Sequence, residues 1–410
     1  MTRRLPKLTF KPTFTTANLW LRQNRNPVFL VGLFAVIVSS LLLRHLTSLP
    51  SGGLSSQEHQ VAVTSIGWQG IIHDPFFLAV KLLRSVGFYF FGQGGILVVR
   101  LPSVIMAALA IVCLAAVVRL WHGTRVAILS CLLFAASAWT LHMGRYASYD
   151  SSYLAAVPAL FLSQLVLKRS HKLRVVYLVL LVWGSLLFIP GMVWFIAVTS
   201  WQCRQELIGA WRQSRAWWRK VLLVIVSAVW LPLLLTVFIK HPRTTLTWLG
   251  LPNHFDAVWP MLRRLGAIPE QLFAYGPNNP AQWLGHLPIL DSFSAVMVIL
   301  GIVFYLKHWR SSRATQLAVF SVVAAMLISL NPAIGLSLVV PIIYLLAAAG
   351  IARLLRDWLQ RFPSNPIMRA VGVGLITAAV AISCAYNLQH YFVAWPHNPA
   401  TKSHFTYYPY

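Results

Sequence analysis

Apolar residues in this chain are gathered into long runs that are separated by short polar or basic stretches. The runs are too long, and alternate too little, for the strands of a membrane barrel. Because a backbone in lipid must satisfy its own hydrogen bonds, each run predicts a helix. Pro190 and Gly191 predict either a tight hairpin or a kink within the stretch 173–203. The eleven predicted helices cover about residues 27–46, 94–119, 126–141, 150–167, 173–188, 190–203, 219–239, 291–306, 314–330, 333–352 and 367–387.

The composition supports a membrane protein. Of the 410 residues, 58% are hydrophobic and 10% are charged, and the mean hydropathy is +0.68. These values predict an all-α polytopic membrane protein with about 11 transmembrane helices. The four cysteines show no paired spacing, so neither a disulfide framework nor a zinc site is indicated. The first apolar run lacks a small-residue cleavage site after it, and we expect a retained helix.

Basic residues are distributed unevenly between the predicted loops. When the eleven helices are threaded alternately, 24 Lys and Arg fall on the side of the N-terminus and ten on the other side. By the positive-inside rule the first side is cytoplasmic, and six of the eight acidic residues then lie outside. The net charge of +26 therefore reports orientation in a plasma membrane, and no nucleic-acid partner is expected.

This orientation divides the chain into three parts. Residues 1–26 are expected to be a basic cytoplasmic tail, and residues 388–410 an external tail. Residues 27–387 form the transmembrane domain between them, with long external loops at about 47–93 and 240–290. The cytoplasmic loops are short, so we expect any chemistry at the external face.

The first external loop contains two candidate sites. Glu58 lies in the sequence Ser55-Ser-Gln-Glu, which fits a capping box, but a carboxylate close to the outer membrane face also suggests a function. "HDPFF" (73–77) opens an amphipathic helix that would rest in the interface. His73 is a candidate ligand for a phosphate or a metal, while Asp74 alone would serve as an ordinary helix cap.

Four further candidate residues lie near the same predicted face. Arg145 and Asp150 share a very short external turn, where Asp150 could cap the next helix, pair with Arg145, or take part in chemistry. Arg263 and Arg264 lie on an amphipathic pattern in the second external loop. They could contact a lipid phosphate or belong to an ordinary surface.

The order of these motifs resembles that of a known family. "QE" (57–58) follows the first helix, "HDPFF" (73–77) and "RLPS" (100–103) come next, and an Arg…Asp turn (145–150) follows two further helices. In this order the chain resembles the membrane glycosyltransferases of the GT-C class, especially the bacterial relatives of protein O-mannosyltransferases and lipid A aminoarabinose transferases. The ordered match covers roughly residues 27–170. The family usually has Asp-Glu in the first loop, and here Gln57 replaces that Asp.

The resemblance implies a sugar transfer from a polyprenyl-phosphate donor to a hydroxyl of a protein, lipid or glycan acceptor at the outer face. Glu58 would then be the general base, and Asp150 a second carboxylate that holds the acceptor or a divalent metal. The donor phosphate would be bound by Arg145, by Arg263 or Arg264, and by His73. Carboxylate oxygens could bind Mg²⁺ or Mn²⁺, but the sequence indicates no set of metal ligands. No other cofactor is expected.

Two other classes remain open. A transporter or flippase for a lipid-linked sugar would show ionisable residues at mid-membrane and a repeat between its halves. A non-catalytic scaffold of the same fold is kept open by Gln57. Convergence of Glu58, Asp150 and Arg145 on one outward cavity would favour an enzyme, whereas their separation would favour a scaffold.

Overall fold

A computed structural model describes residues 25–65, 71–72, 74–92, 95–170, 172–213, 217–240 and 243–407. The described residues are helical apart from turns and one isolated β-bridge. The helices are α1 (Arg25–Leu43), α2 (Ser56–Val63), α3 (Leu78–Phe91), α4 (Ile96–His122), α5 (Thr124–Ala136), α6 (Ala138–Arg145), α7 (Asp150–Arg169), α8 (Leu173–Leu186), α9 (Met192–Gln202), α10 (Arg204–Gln213), α11 (Trp217–Ala228), α12 (Leu231–Lys240), α13 (Thr244–Trp248), α14 (Val258–Phe273), α15 (Ser292–Lys307), α16 (Ser312–Leu330), α17 (Val340–Arg361) and α18 (Pro366–Gln389).

Five of the described helical segments are long and apolar enough to cross a membrane. A sixth is obtained if α5 and α6, which are bent by 62° at their junction, are taken as one span. The protein is therefore an all-α integral membrane protein, as predicted. Every one of the eleven predicted segments coincides with helix, but several helices are shorter than a full span, and eleven crossings are not confirmed. The five span-length segments are Ile96–His122, Asp150–Arg169, Trp217–Leu235, Ser312–Leu330 and Pro366–His397.

The predicted helix boundaries were wrong in three places. The segment 126–141 is broken at Ser137, and the segment 219–239 is interrupted by a turn at residues 229–230. The segment 333–352 instead contains a 3₁₀ turn, Leu336–Leu338, before α17 begins at Val340 and continues to Arg361. At Pro190 and Gly191 the chain does break between α8 and α9, and Gly191 adopts a φ of +79° that favours glycine.

Close backbone contacts build the centre of the bundle. A Cβ on Gly301 of α15 would lie 1.9 Å from the carbonyl oxygen of Leu346, and one on Gly350 of α17 would lie 2.0 Å from that of Met297. Small residues that let helices approach are typical of membrane bundles, where packing replaces the hydrophobic effect. Helix α17 is buried almost continuously from Val340 to Ala352.

The C-terminal residues return to the first loop. A π-helical turn, His390–Ala394, follows α18, and Leu54 and Tyr407 then form an antiparallel bridge. Gly53 lies so close to Phe405 that a Cβ there would be 2.6 Å from its carbonyl oxygen. The described part of the predicted C-terminal tail is thus packed against the loop that contains Glu58.

Candidate functional site

Glu58 is completely buried at the start of α2. The expected capping box is present, because Ser55 Oγ accepts from the Glu58 N–H at 3.1 Å and Glu58 Oε2 accepts from the Ser55 N–H at 3.1 Å. Arg100 donates to both oxygens of the Glu58 carboxylate, from Nε to Oε1 at 2.8 Å and from Nη2 to Oε2 at 3.0 Å. Oε1 also accepts from the Ala147 N–H at 3.1 Å, so both carboxylate oxygens are fully used.

Arg100 ties the same loops together. Its Nη1 donates to the carbonyl oxygens of Leu46 and Leu49, both at 2.7 Å, and its Nη2 donates to that of Gly53 at 3.1 Å. All five guanidinium hydrogens therefore have acceptors, and the residue is 3% exposed. These are the contacts of a structural ion pair, and they leave Glu58 no free lone pair with which to accept a substrate proton.

Arg145 lies in a different environment from the one predicted. Its guanidinium donates to the carbonyl oxygens of Leu41, at 3.3 Å, and Arg44. The rings of Tyr391 and Phe392 lie 5.1 and 4.9 Å from its central carbon, so their faces support the buried cation. No contact joins Arg145 to Asp150 within the described ranges. Arg145 instead shares a small closed space with Arg100 and Tyr146.

Asp150 begins α7 and faces an open cavity of about 330 Å³. Its backbone N–H donates to Ser148 Oγ at 3.2 Å, but its carboxylate has no hydrogen-bond donor among the described residues. The carboxylate lies beside Gly335. A Cβ at that glycine would be 3.0 Å from Asp150 Oδ1. Asp150 is therefore a half-buried carboxylate that is available to a ligand.

The cavity is lined mostly by apolar residues, with the amides of Gln271 and Gln282 and the hydroxyl of Ser337 as its neutral polar groups. Among the described residues, the cation that lines it is Arg264, which forms an ion pair with Asp256 and donates through Nη1 to the Ser329 carbonyl oxygen at 3.3 Å. The other lining residues are Trp139, Met143, Ala267, Ile268, Gln271, Pro277, Gln282, Ile328, Pro332, Ile334, Gly335, Leu336 and Ser337. Arg263, on the neighbouring face of α14, is exposed, and His73 lies outside the described residues.

Gln57 stands at the edge of this cavity, although Glu58 points away from it. Gln57 is exposed, and its Oε1 accepts from Gln282 Nε2 at 3.0 Å and from the Tyr146 hydroxyl at 3.3 Å. Burial raises the pKa of the Tyr146 phenol, and the nearby Glu58 carboxylate raises it further, so the phenol stays protonated and can donate. The position at which the family usually has Asp is thus occupied here by a neutral amide.

An apolar groove of about 270 Å³ lies on the other face of α7. Its walls are side chains of α4, α7 and α8, and Phe77 and Leu78 close one end. The Phe77 ring stacks on Tyr149 with centroids 4.6 Å apart. The groove includes Ser152, only two residues along the chain from Asp150, so groove and cavity flank the N-terminal end of α7.

Two buried cations of α3 lie beside this end of the groove. Lys81 is 1% exposed, and its Nζ bonds to the Asp74 carboxylate at 2.6 Å and lies 5.6 Å from the Tyr149 ring centroid. Arg84 donates to the carbonyl oxygens of Val61 and Val99 and to Ser65 Oγ. Burial lowers the pKa of Arg84 to about 10, which still leaves it charged at neutral pH.

The residues that sequence reasoning missed come from distant parts of the chain. Gln282 lies 225 residues from Gln57, and no motif connects them. Lys81 follows the "HDPFF" motif, but nothing in the sequence indicated that its side chain would be buried. The described residues contain no group of three His, Cys, Asp or Glu side chains that could hold a metal ion.

Glu58, Asp150 and Arg145 therefore do not converge. Glu58 and Arg145 are buried next to Arg100, whereas Asp150 faces the open cavity. By the criterion set out from the sequence, this separation counts against the predicted three-residue site and favours a scaffold of the same fold. The roles predicted for these residues stay predictions, and Asp150 is the member that the geometry leaves free.

The helical bundle with its packed loops has the fold of GT-C membrane glycosyltransferases, as the motif order predicted. Among solved structures it is similar to ArnT from Cupriavidus metallidurans in the apo state, with a TM-score of 0.51 and 14% identity over 95% of this chain and 78% of that one. ArnT bound to undecaprenyl phosphate matches with the same TM-score and identity, over 91% and 77% of the two chains. No family model and no curated protein matches the sequence.

Proposed function

We propose that the protein is a glycosyltransferase that moves a sugar from a polyprenyl-phosphate donor to an acceptor hydroxyl. The observation that carries the proposal is the Asp150 carboxylate, which faces an open cavity without a hydrogen-bond donor. A buried polar group normally has a partner, and one without a partner at a cavity wall is a candidate for contact with substrate. The GT-C fold supports this assignment.

The apolar groove suits the tail of such a donor. Its lining is hydrocarbon from α4, α7 and α8, with Ser152, Ser163 and Ser185 as its hydroxyl groups. A polyprenyl chain would bind there by the burial of apolar surface, at roughly 25 cal/mol per Å². The structural neighbour ArnT has been solved with undecaprenyl phosphate, which supports a lipid phosphate as the donor here.

The phosphate of a lipid in this groove would reach the N-terminal end of α7. Lys81 lies at that end against the Tyr149 ring, and Arg264 lies across the cavity on α14. Fixed cations stabilise the charge that develops on a departing phosphate. We therefore move the phosphate-binding role from Arg145, which lies outside the Asp150 cavity, to Arg264, which lines it.

The chemistry proposed at Asp150 is general base catalysis. The acceptor oxygen forms a bond to the anomeric carbon of the donor sugar, and the bond from that carbon to the phosphate oxygen breaks. The leaving phosphate takes the electron pair, and the Asp150 carboxylate takes the proton of the acceptor hydroxyl. Proton transfer to a positioned group contributes on the order of 10²–10⁴ in rate.

The site is proposed to face the outside of the plasma membrane. The basic loops predicted to be cytoplasmic lie at the opposite ends of the helices, for example at the start of α16, whereas Asp150 and the end of α16 share the cavity. A lipid-linked donor would present its sugar on that outer side. Labelling of single cysteines by an impermeant reagent in right-side-out vesicles tests this orientation.

The decisive variant is Asp150→Asn. Transfer is measured by mass spectrometry of cell-envelope glycans, with and without the protein, and in vitro with polyprenyl-phosphate sugars from native membranes. We expect loss of transfer by about 10²-fold or more with unchanged thermal stability. Asp357→Asn, which alters an exposed carboxylate that does not line the cavity, is the matched control. Wild-type turnover by Asp150→Asn would refute the proposed role.

A non-catalytic relative of the same fold is the second candidate, because Gln57 replaces the carboxylate that the family resemblance places there. If the chain has lost activity through this replacement, wild-type protein will show no transfer and Gln57→Asp will restore it. If Asp150 is the base, wild-type protein is active and Gln57→Asp adds little. The two candidates thus predict opposite results for the same pair of proteins.

A further inference from the structure

Helix α14 presents three different faces. One face packs on the protein through Met261, Ile268 and Leu272. A second face lines the Asp150 cavity with Arg264, Ala267 and Gln271. The third is apolar and uncovered by any described residue: Val258, Trp259, Leu262 and Leu265 recur at helical spacing and are 41–76% exposed.

The position of α14 at the end of the bundle is fixed by backbone contacts at both of its ends. Near its start, Ser329 Oγ, in the last turn of α16, donates to the Met261 carbonyl oxygen at 2.7 Å. Near its end, the Ile289 N–H, just before α15, donates to the Gln271 carbonyl oxygen at 3.1 Å. Because α16 ends at Leu330 and α15 begins at Ser292, α14 lies across the ends of two apolar helices.

Exposed apolar residues also lie on the two helices whose ends α14 crosses. Val322 and Met326 of the membrane-length helix α16 are each 58% exposed, and Val296 and Ile299 of α15 are 50% and 53% exposed. Trp259 at the border and the charged Arg263 and Glu270 beside the apolar sector are typical of a helix at the membrane interface. An apolar patch of this kind is seldom left in water.

We infer that α14 lies in the headgroup region of the bilayer, with its apolar face inserted among the acyl chains of the leaflet on the cavity side. The occupant of this face is phospholipid, because exposed apolar residues also lie on α15 and α16, whose ends α14 crosses. The helix is then a wall with acyl chains on one side and the Asp150 cavity on the other, so the cavity lies at the level of the headgroups. Only its description as a substrate site rests on the proposed function.

Nitroxide labels at single introduced cysteines test the insertion directly in phospholipid nanodiscs. Leu262→Cys and Leu265→Cys report on the apolar face, and Arg263→Cys and Glu270→Cys are matched controls on the polar border of the same helix. Collision rates with oxygen, which concentrates in acyl chains, and with a water-soluble nickel chelate are compared. Labelled wild-type protein measures any background from its four cysteines, three of which are buried.

We expect the ratio of oxygen to nickel collisions to be several-fold higher at 262 and 265 than at 263 and 270. Equal ratios at all four positions would place the face in water and overturn the inference. Exclusion of both reagents at 262 and 265, with strong immobilisation of the label, would show that protein covers the face and would also overturn it. No turnover is required, so this result is independent of the Asp150→Asn experiment.

Discussion

Arg100 and Glu58 hold the loop between α1 and α3 against the helices that it contacts. Arg100 reaches three backbone carbonyl oxygens between residues 46 and 53, and Glu58 binds the start of α2 and the Ala147 N–H. Both are buried, and the charge of each is neutralised mainly by the other. Removing one partner of such a pair leaves an uncompensated buried charge, which costs more than the pair contributes.

Glu58→Gln is therefore expected to lower the free energy of unfolding by about 3–5 kcal/mol, as for other buried pairs that lose one partner. The measurement is denaturant or thermal unfolding in detergent. Asp357→Asn is the control, because its ion pair with Arg353 is exposed and should contribute under about 1 kcal/mol. A Glu58→Gln protein of unchanged stability that had lost all transfer would instead restore Glu58 as the base.

Glu58 also shows how far single residues can be interpreted from sequence. The capping box could be predicted because its two residues lie three apart and its geometry is local. The partner that decides the role of the carboxylate, Arg100, is 42 residues away, and the sequence indicated only an arginine at the membrane interface. The free carboxylate of Asp150 could be named as a candidate, but its lack of partners is a property of the folded chain.

The helices as elements depend on a few close contacts and caps. The junction between α5 and α6 is stabilised by Asn387 of α18, whose Oδ1 accepts from the Ala138 N–H at 3.1 Å. The Nδ2 of Asn387 donates to Asp291 Oδ1 at 3.2 Å, and Asp291 in turn caps α15. One amide side chain thus connects a bent span to the start of a second helix.

Asn387→Leu should destabilise the protein by roughly 1–3 kcal/mol, because the Ala138 N–H would be left buried without an acceptor. The measurement is the midpoint of thermal unfolding in detergent. Asn365→Ala removes an exposed cap at the start of α18 and is expected to cost about 1 kcal/mol. If Asn387→Leu were no more destabilising than Asn365→Ala, the bend would not depend on this amide.

The contact between α15 and α17 gives a second prediction at this scale. Gly350→Val would force the helices apart, because even a Cβ there meets the Met297 carbonyl oxygen at 2.0 Å. We expect a loss of more than about 3 kcal/mol, at the upper end of the overpacking range. Gly374→Val is the matched control, since a Cβ at Gly374 has nothing within 4 Å. Equal unfolding midpoints for the two variants would contradict the close packing.

Most helices could be predicted because an apolar run of sufficient length has few alternatives in a membrane. The break at Gly191 was predicted for a local reason, a Pro-Gly pair. The break at Ser137 was not, because the segment contains neither Pro nor Gly there and the bend is held by Asn387, 249 residues from the amide that it caps. Sequence periodicity reports local preference, and this bend is imposed by tertiary contact.

At the scale of the whole molecule, the groove and the cavity are assembled from distant segments around α7. Phe77 and Leu78 come from the first loop, Arg264 and Gln282 from the second, and Asp150 from the turn between them. The order of the motifs could indicate the fold because the motifs lie in these same loops, one after another along the chain. The spatial combination of groove and open carboxylate could not be obtained from it.

The groove makes a prediction about the whole protein in the presence of ligand. A lipid phosphate that binds only the folded state raises stability by RT ln(1 + [L]/Kd), or about 2.7 kcal/mol at a ligand concentration of 100 Kd. Undecaprenyl phosphate is the probe, because the structural neighbour ArnT was solved bound to it. Added to the purified protein in detergent, it should raise the unfolding midpoint, whereas a single-chain phosphate-free polyprenol should raise it less.

Ala159→Phe should abolish most of this shift, because Ala159 lines the middle of the groove and a ring there would fill space that the tail needs. Ala378→Phe on the exposed face of α18 adds the same ring outside the groove and should leave the shift intact. An equal shift in both variants would place the lipid elsewhere. Because the shift requires neither sugar nor acceptor, it tests the donor-tail site separately from the role of Asp150.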